Sequence, residues 1–512
     1  MWLPSPAFAL PDSAGGVDLR GVLPMDAVPG ATWTCCYGVA ALTRNWMNGP
    51  LFDVIAGGNT NTIYAKNGYP DVKRLAVLMG IDSESGIKGL LISKWHDQSG
   101  NEWHATQAAT ARQPAVWLVD GAVYVFFGGI LSTNAQKRLS PQFLTIPAGA
   151  SINSQSFSAY SIFKPYTSSV AVSGAHKFST LFSANGNPSF LFAYPSTFGG
   201  GTPRGFLIDL TTFSSAGLAA PNIGMQQSVV SAFGTANETA FGINGSSATA
   251  RAMTAATYSG GNLGCDQSAS GIFPNGASGR MQCFLLSSTQ FSSTQRSQIG
   301  NALYQWGNVQ GSLAASAKVN VVIDGASFDQ GQGGDASGLY AKQNGGGYGW
   351  GEILQDELRG HAIQWNNVAG SGNTIANCTS NYAPITSGCF NASAAINIII
   401  GPNSAYGNSI NPAIGKRTGA QAYSDFQAWL TAVKVNSWTR ILCLIFPDRS
   451  MQGAAYNSLM IANAATNGVT LINMSNNVAH RGLPYLNPDG HPTIAGSRLI
   501  AGNVFSYLQP LL

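Results

Sequence analysis

Apolar and polar positions follow two different rhythms along this chain, and the change falls near residue 318. Residues 31–306 carry many short runs of period-two alternation, broken by Gly, Asn and Ser turns. Ala122–Phe127 (AVYVFF), Ser158–Phe163, Phe190–Tyr194, Gly205–Leu210 and Met281–Leu286 are examples. Alternation of this kind puts successive side chains on opposite faces of a strand. Many short strands between frequent turns predict an antiparallel β-sandwich. Helical spacing is rare in this half. It occurs at Asp71–Met79 and at Ser293–Trp306, where Ile299, Leu303 and Trp306 recur at i, i+4 and i+7 after a capping serine.

From Lys318 onward, apolar runs alternate with helical patterns. The runs are Val319–Ile323, Ala362–Trp365, Ile396–Ile400, Ile441–Phe446 and Val469–Ile472. The helical patterns are Trp350–Leu358, Ala422–Val433 and Thr493–Leu508. Tyr423, Phe426, Leu430 and Val433 form the stripe of the second helix, and Ala495, Leu499, Gly502 and Phe505 that of the third. Alternating strands and helices predict a doubly wound parallel sheet in a three-layer α/β/α arrangement, of flavodoxin-like type. The chain thus divides into an N-terminal arm (1–30), a sandwich (31–306), a small-residue linker (307–317, GNVQGSLAASA) and an α/β domain (318–512).

Composition changes the picture in one respect. Only 9% of the 512 residues are charged, against about 25% in an average soluble domain. A polar but weakly charged surface suits an extracellular protein or a component of a virion. The net charge of +4 is small for the length and unclustered, so no nucleic-acid footprint is expected. No apolar window is long enough to span a membrane. The N-terminal MWLPSPAFALPDSAGG lacks the basic region and long apolar core of an intact signal peptide.

The seven cysteines include no CxxC pair, so neither zinc nor any other metal or cofactor is expected. Cys378 and Cys389 flank a short polar loop and are a candidate disulfide. Cys265 and Cys283 are a second candidate pair, and buried free thiols are the alternative for both.

Four polar loops follow apolar strands or precede the last helix. They are Gly325-Ala326-Ser327, Asn367–Thr374 with Ser371-Gly372, Gly401-Pro402-Asn403-Ser404, and Asp489-Gly490-His491-Pro492. Loops leaving the carboxyl ends of strands in such a sheet converge on one crevice. A serine there needs an imidazole base to attack an ester at neutral pH, and donors to hold the developing oxyanion. In this order the loops resemble the four blocks of the SGNH (GDSL-like) hydrolases over residues 318–512. The resemblance implies Ser327 as nucleophile and His491 as base. It implies the Ser327 and Gly372 amides and the Asn403 side chain as the oxyanion hole. The family's Gly-Asp-Ser reads Gly325-Ala326-Ser327 here, and Ser404 stands where a second Asp follows the asparagine. Asp489 lies one residue closer to His491 than the family's Asp-x-x-His spacing. The imidazole's orienting group is therefore Asp489, Asp448 or a backbone carbonyl.

In the sandwich, Trp95-His96-Asp97-Gln98-Ser99-Gly100-Asn101 with His104-Ala105-Thr106-Gln107, preceded by Cys35-Cys36-Tyr37-Gly38, resembles the fungal α-L-arabinofuranosidase B sandwich, a concanavalin-A-like jelly roll. Trp95, Asp97 and His104 are its candidate sugar contacts. A retaining glycosidase needs paired carboxylates. No glutamate stands near Thr211, where the resemblance expects the nucleophile, so Asp266 would be an acid without its partner. Taken together, the two resemblances imply a secreted esterase that removes O-acetyl groups from a polysaccharide held by the sandwich. The alternative is a phage tail or receptor-binding protein whose sandwich binds surface glycan and whose hydrolase domain is accessory.

Overall fold

The computed structural model describes residues 17–80, 88–119, 122–128, 142–165, 178–184, 190–196, 204–209, 214–219, 227–244, 246–252, 254–265, 278–307, 309, 319–325, 350–357, 363–367, 374–376, 378, 395–400, 418–433, 439–445, 451–473, 492 and 494–511.

Most of the described residues up to 287 lie in antiparallel sheet, curled over one core in a manner consistent with a β-sandwich. Ser278–Ser287 is its hub, pairing with Cys35–Gly38, Phe157–Pro165 and Ala122–Gly128. Lys88–Trp95 plays the same part for Pro50–Ala56, Ala115–Val119 and Ala105–Thr106. Pro50–Ala56 turns into Asn59–Lys66 through Gly57 and Gly58, both at positive φ (56° and 80°). A two-residue hairpin whose twist matches its strands needs positive φ at both positions, which glycine adopts without a Cβ clash.

The predicted helices form where their caps place them. Val72–Met79 begins after Asp71, whose side chain accepts from the Arg74 amide, and stops at Gly80 in the left-handed region. Ser293–Trp306 starts with a reciprocal capping box between Ser292 and Gln295. It buries Ile299, Leu303 and Trp306, and the Trp306 indole donates to Ala41 O at 2.8 Å. Residues 17–33 contain no strand; Val17, Leu19, Leu23 and Val28 are buried in the sandwich core.

Five parallel strands follow: Val319–Asp324, Ile363–Asn367, Ala395–Ile400, Thr439–Ile445 and Thr470–Asn473. Taken as first to fifth in the chain, they lie in the order second, first, third, fourth, fifth. The first strand uses its two faces differently. Val321 and Ile323 join an apolar cluster with the helices Trp350–Glu357 and Ile494–Leu508. Asp324, at the alternate position, meets Trp429 of the helix Gly419–Val433.

Two expectations need correction. The helix Ile494–Leu508 buries Ile500, Ala501, Val504 and Leu508, whereas Gly502 is exposed and Leu499 and Phe505 are half-buried. The expected stripe was about one residue out of phase. In the other case, Cys283 is a buried free thiol and does not pair with Cys265.

The hairpin Ala115–Val119/Ala122–Gly128 is buried on both faces. Val116, Leu118, Val123, Val125 and Phe127 enter the sandwich core. Ala115, Trp117, Ala122, Tyr124 and Phe126 join the cluster containing Val321, Ile323, Trp350 and Val504. AVYVFF therefore departs from the period-two alternation expected of it, since a strand covered on both sides has no polar face and is apolar throughout. No helix among the described residues is long and apolar enough to cross a membrane.

Candidate functional site

The parallel sheet ends the strands that precede three of the sequence blocks at one edge. Ile323 stands opposite Asn367, and Asp324 opposite Ile400. The first three strands therefore end side by side. Ser327 follows the first strand by three residues, Gly372 the second by five, and Asn403 the third by three. The first and third strands flank the point where the strand order reverses, which is where open parallel sheets bind ligands. Ser327, Gly372, Asn403, Asp489 and His491 themselves lie outside the described residues, as do Asp448, Asp266 and Cys389. The expected Cys378–Cys389 pairing likewise falls there.

The described end of the first strand is tightly organised. Asp324 is fully buried. Its Oδ1 accepts from the Gly325 N–H at 2.8 Å and its Oδ2 from the Trp429 indole N–H at 3.3 Å. Cys378 is buried too, with its Sγ 3.9 Å from Gly325 O. Gly325 has φ 140°, a conformation that favours glycine.

In the sandwich, the two blocks that carry the arabinofuranosidase resemblance are stitched to each other. Asp97 is 1% exposed. Its Oδ1 accepts from the Cys36 N–H at 2.7 Å and the Ser99 N–H at 2.9 Å. Its Oδ2 accepts from the Ser99 hydroxyl at 2.6 Å and the Trp103 N–H at 3.0 Å. Gln98 accepts from the Leu42 N–H at 2.8 Å and donates to Gly38 O and Ala40 O. Trp95 is fully buried, and its indole donates to Gly38 O at 3.1 Å. His104 is half-buried, with Nδ1 accepting from the Asp97 N–H at 3.1 Å. Of the three expected sugar contacts, Trp95 and Asp97 thus direct their polar atoms into the fold.

A second cluster had no signal in the sequence beyond His96 itself. His96 Nε2 lies 3.0 Å from Asp53 Oδ1, and Thr62 Oγ1 donates to the same oxygen at 2.8 Å. Lys94 Nζ is 3.3 Å from Asp53 Oδ2. The His104 ring meets the His96 ring edge-on, with centroids 4.8 Å apart. Burial works to raise the Asp53 carboxyl, but the His96 and Thr62 hydrogen bonds outweigh it, leaving the group below its ordinary value. Burial lowers the His96 imidazole against the opposing pull of Asp53. The partners come from three strands more than thirty residues apart at the extremes, Asp53 and His96 being separated by 43, so no local motif announces them. Among the described residues, no group of three or more His, Cys, Asp or Glu side chains is placed to hold a metal ion.

No family model matches the chain, and no curated protein matches it. Among solved structures it is similar in part to TesA, at 19% identity and TM-score 0.29, over 38% of this chain and 99% of that one. An acetyl xylan esterase, AlAXEase, is similar at 15% identity and TM-score 0.28, over 37% of this chain and 99% of the other. An arabinofuranosidase solved with arabinofuranosyl-alpha-1,2-xylobiose is similar at 14% identity and TM-score 0.37. That match covers 55% of this chain and 64% of the arabinofuranosidase, so the chain spans less than two thirds of its length.

Proposed function

We propose that the chain is a serine carboxylic-ester hydrolase that removes O-acyl groups, O-acetyl in particular, from a polysaccharide. In this reading the C-terminal part is a three-layer hydrolase domain and the sandwich holds the glycan. The observation that carries it is the meeting of motif and topology. Ser327, Gly372 and Asn403 follow three strands that end side by side at the reversal of strand order, and the block with His491 immediately precedes the helix Ile494–Leu508. Four blocks in one order on such a sheet are far more specific than one Gly-x-Ser turn.

The chemistry follows from those residues. His491 takes the proton of the Ser327 hydroxyl as Oγ attacks the ester carbonyl. The Ser327 and Gly372 amides and the Asn403 side-chain amide hold the tetrahedral oxyanion. The bond to the sugar oxygen breaks, and His491 returns the proton to that oxygen. His491 then draws a proton from water as it attacks the acyl-serine, and the carboxylic acid departs with Ser327 restored. Asp489, Asp448 or a backbone carbonyl orients the imidazole.

The test is hydrolysis of p-nitrophenyl acetate by the wild type and by Ser327→Ala. Loss of a catalytic serine is expected to lower kcat by about 10⁴-fold or more. Equal rates would remove the assignment. Acetate release from acetylated xylan, compared with acetylated bacterial exopolysaccharide, then tests the substrate class.

A further inference from the structure

The described part of the site contains a buried acid that the serine chemistry does not use. Asp324 ends the first parallel strand, Val319–Asp324, with no exposed surface, three residues before Ser327. Burying a carboxylate is costly unless donors meet it, and an apolar residue of similar size fills such a place without that cost. Here donors do meet it, and they connect it to the serine turn on one side and to a helix on the other. Oδ1 accepts from the Gly325 N–H at 2.8 Å, the next amide in the chain. Oδ2 accepts from the indole of Trp429, itself fully buried in the helix Gly419–Val433. The Gly325 carbonyl, at the far end of the same residue, lies 3.9 Å from Cys378 Sγ. Gly325 is thus approached by polar groups at both its N–H and its C=O, at a φ of 140°. Ala326 adds only a methyl group before the serine. A turn with no polar side chain of its own between glycine and nucleophile takes its orientation from what holds the glycine.

We propose that Asp324 is a positioning residue for the Ser327 turn, fixing the Gly325 peptide on one oxygen while Trp429 fixes the carboxylate on the other. The proposal rests on the esterase reading above. In this role Asp324 acts through the Gly325 peptide and not on the ester itself. Its effect is on where Ser327 Oγ stands relative to the ester, and a displacement of about 1 Å can lower a rate by about 10²-fold.

The experiment uses the full chain in four forms: wild type, Asp324→Asn, Trp429→Phe and the double variant. Each is measured by p-nitrophenyl acetate kinetics, by the rate of fluorophosphonate labelling at Ser327 and by thermal unfolding. Asn keeps an oxygen for the Gly325 N–H but turns an NH2 group toward the indole N–H, and Phe removes the indole donor. Asp324→Asn is expected to lower kcat and the labelling rate together by about 30-fold, with KM within about twofold, the signature of a misplaced nucleophile rather than lost binding. The double variant is expected to recover about fivefold over Asp324→Asn, because the donor–donor conflict is gone. Should Asp324→Asn fail to fold, Trp429→Phe decides alone, with an expected fall in kcat of about threefold and no change in KM. Wild-type kcat in Asp324→Asn, beside an inactive Ser327→Ala, would overturn the proposal and leave the esterase reading standing. A kcat deficit that vanishes on cooling below the variant's unfolding range would make Asp324 structural only and overturn it as well. A wild type that is not labelled at Ser327 would remove both.

Discussion

Asp97 takes hydrogen bonds both from its own loop and from a strand far up the chain. The Cys36 N–H reaches it from 61 residues upstream, and the Ser99 and Trp103 amides close on it from the same loop. The Asp-Gln-Ser-Gly-Asn segment is legible in the sequence as a unit. Its partners are not, because Gly38, Ala40 and Leu42 stand 56 to 60 residues from Gln98. Removing the carboxylate leaves the buried Cys36 amide and the part-buried Trp103 amide without this acceptor, and leaving a buried donor unsatisfied costs about 1–3 kcal/mol. Asp97→Ala is therefore expected to lower the unfolding free energy by that amount in urea titrations, while p-nitrophenyl acetate turnover below the transition stays at the wild-type level. A variant as stable as the wild type would remove Asp97 from the stitching. The Asp53–His96 pair sets a pH dependence. His96 titrates below its ordinary value in the folded chain, so protons bind the unfolded state more readily than the folded one. Its contribution to stability is complete above about pH 6.5 and declines as pH falls toward the folded value. Asp53, also lowered, adds a loss that begins near its unfolded value of about 4 and continues as pH falls through its folded one. Denaturation at pH 7.5 and pH 5.5 is expected to show lower stability at the acid point, and His96→Gln to remove most of that difference. An unchanged difference in the variant would assign the effect elsewhere.

At the scale of elements, pattern was a good guide where one face is buried and a poor one elsewhere. The capping serine and the Ile299, Leu303, Trp306 spacing gave the helix Ser293–Trp306 with its ends in place. The helix Met451–Asn467 went unread. It buries Tyr456 and Met460 but exposes Ile461 at 51%, and its remaining positions are mostly small or amide side chains, so no clean stripe forms. In Ile494–Leu508, apolar residues lie almost all round. Periodicity then finds a helix without choosing its face, and the spacing points to Leu499 and Phe505 where the fold buries Ile500 and Val504. The helix Gly419–Val433 shows what such an omission conceals. The expected stripe of Tyr423, Phe426, Leu430 and Val433 left out Trp429, the one side chain on that helix whose indole reaches Asp324. The candidate catalytic residues stand in the opposite relation to the fold. Ser327, Gly372, Asn403, Asp489 and His491 are legible as motif, and what the parallel sheet adds is the adjacency of the strands that precede the first three.

At the scale of the whole molecule, one apolar cluster joins the two sheets. The hairpin Ala115–Val119/Ala122–Gly128 contributes to the sandwich core through one face and to the cluster around Trp350 and Val504 through the other. Trp117 lies at the centre of the second face, stacked on Phe126 with ring centroids 4.1 Å apart and planes within 10°. An interface built from buried aromatic and aliphatic groups behaves as shared core rather than as a hinge between separate bodies. The glycan-holding surface proposed for the sandwich and the serine site proposed at the sheet edge would then keep a fixed separation, as an enzyme acting on a chain held at two points needs. The wild type is accordingly expected to unfold in a single calorimetric transition. Trp117→Ala removes a large buried ring, at a cost of about 3–5 kcal/mol. Because that ring belongs to the shared cluster and its neighbours Val116 and Leu118 still fill the sandwich core, the loss falls on the coupling. Two resolved transitions in Trp117→Ala, with the lower one tracking loss of esterase activity, are the expected result. A single transition merely shifted downward would mean that the halves still unfold together without this ring and would remove Trp117 from the coupling, whereas two transitions in the wild type would mean that the halves are joined by chain rather than by packing.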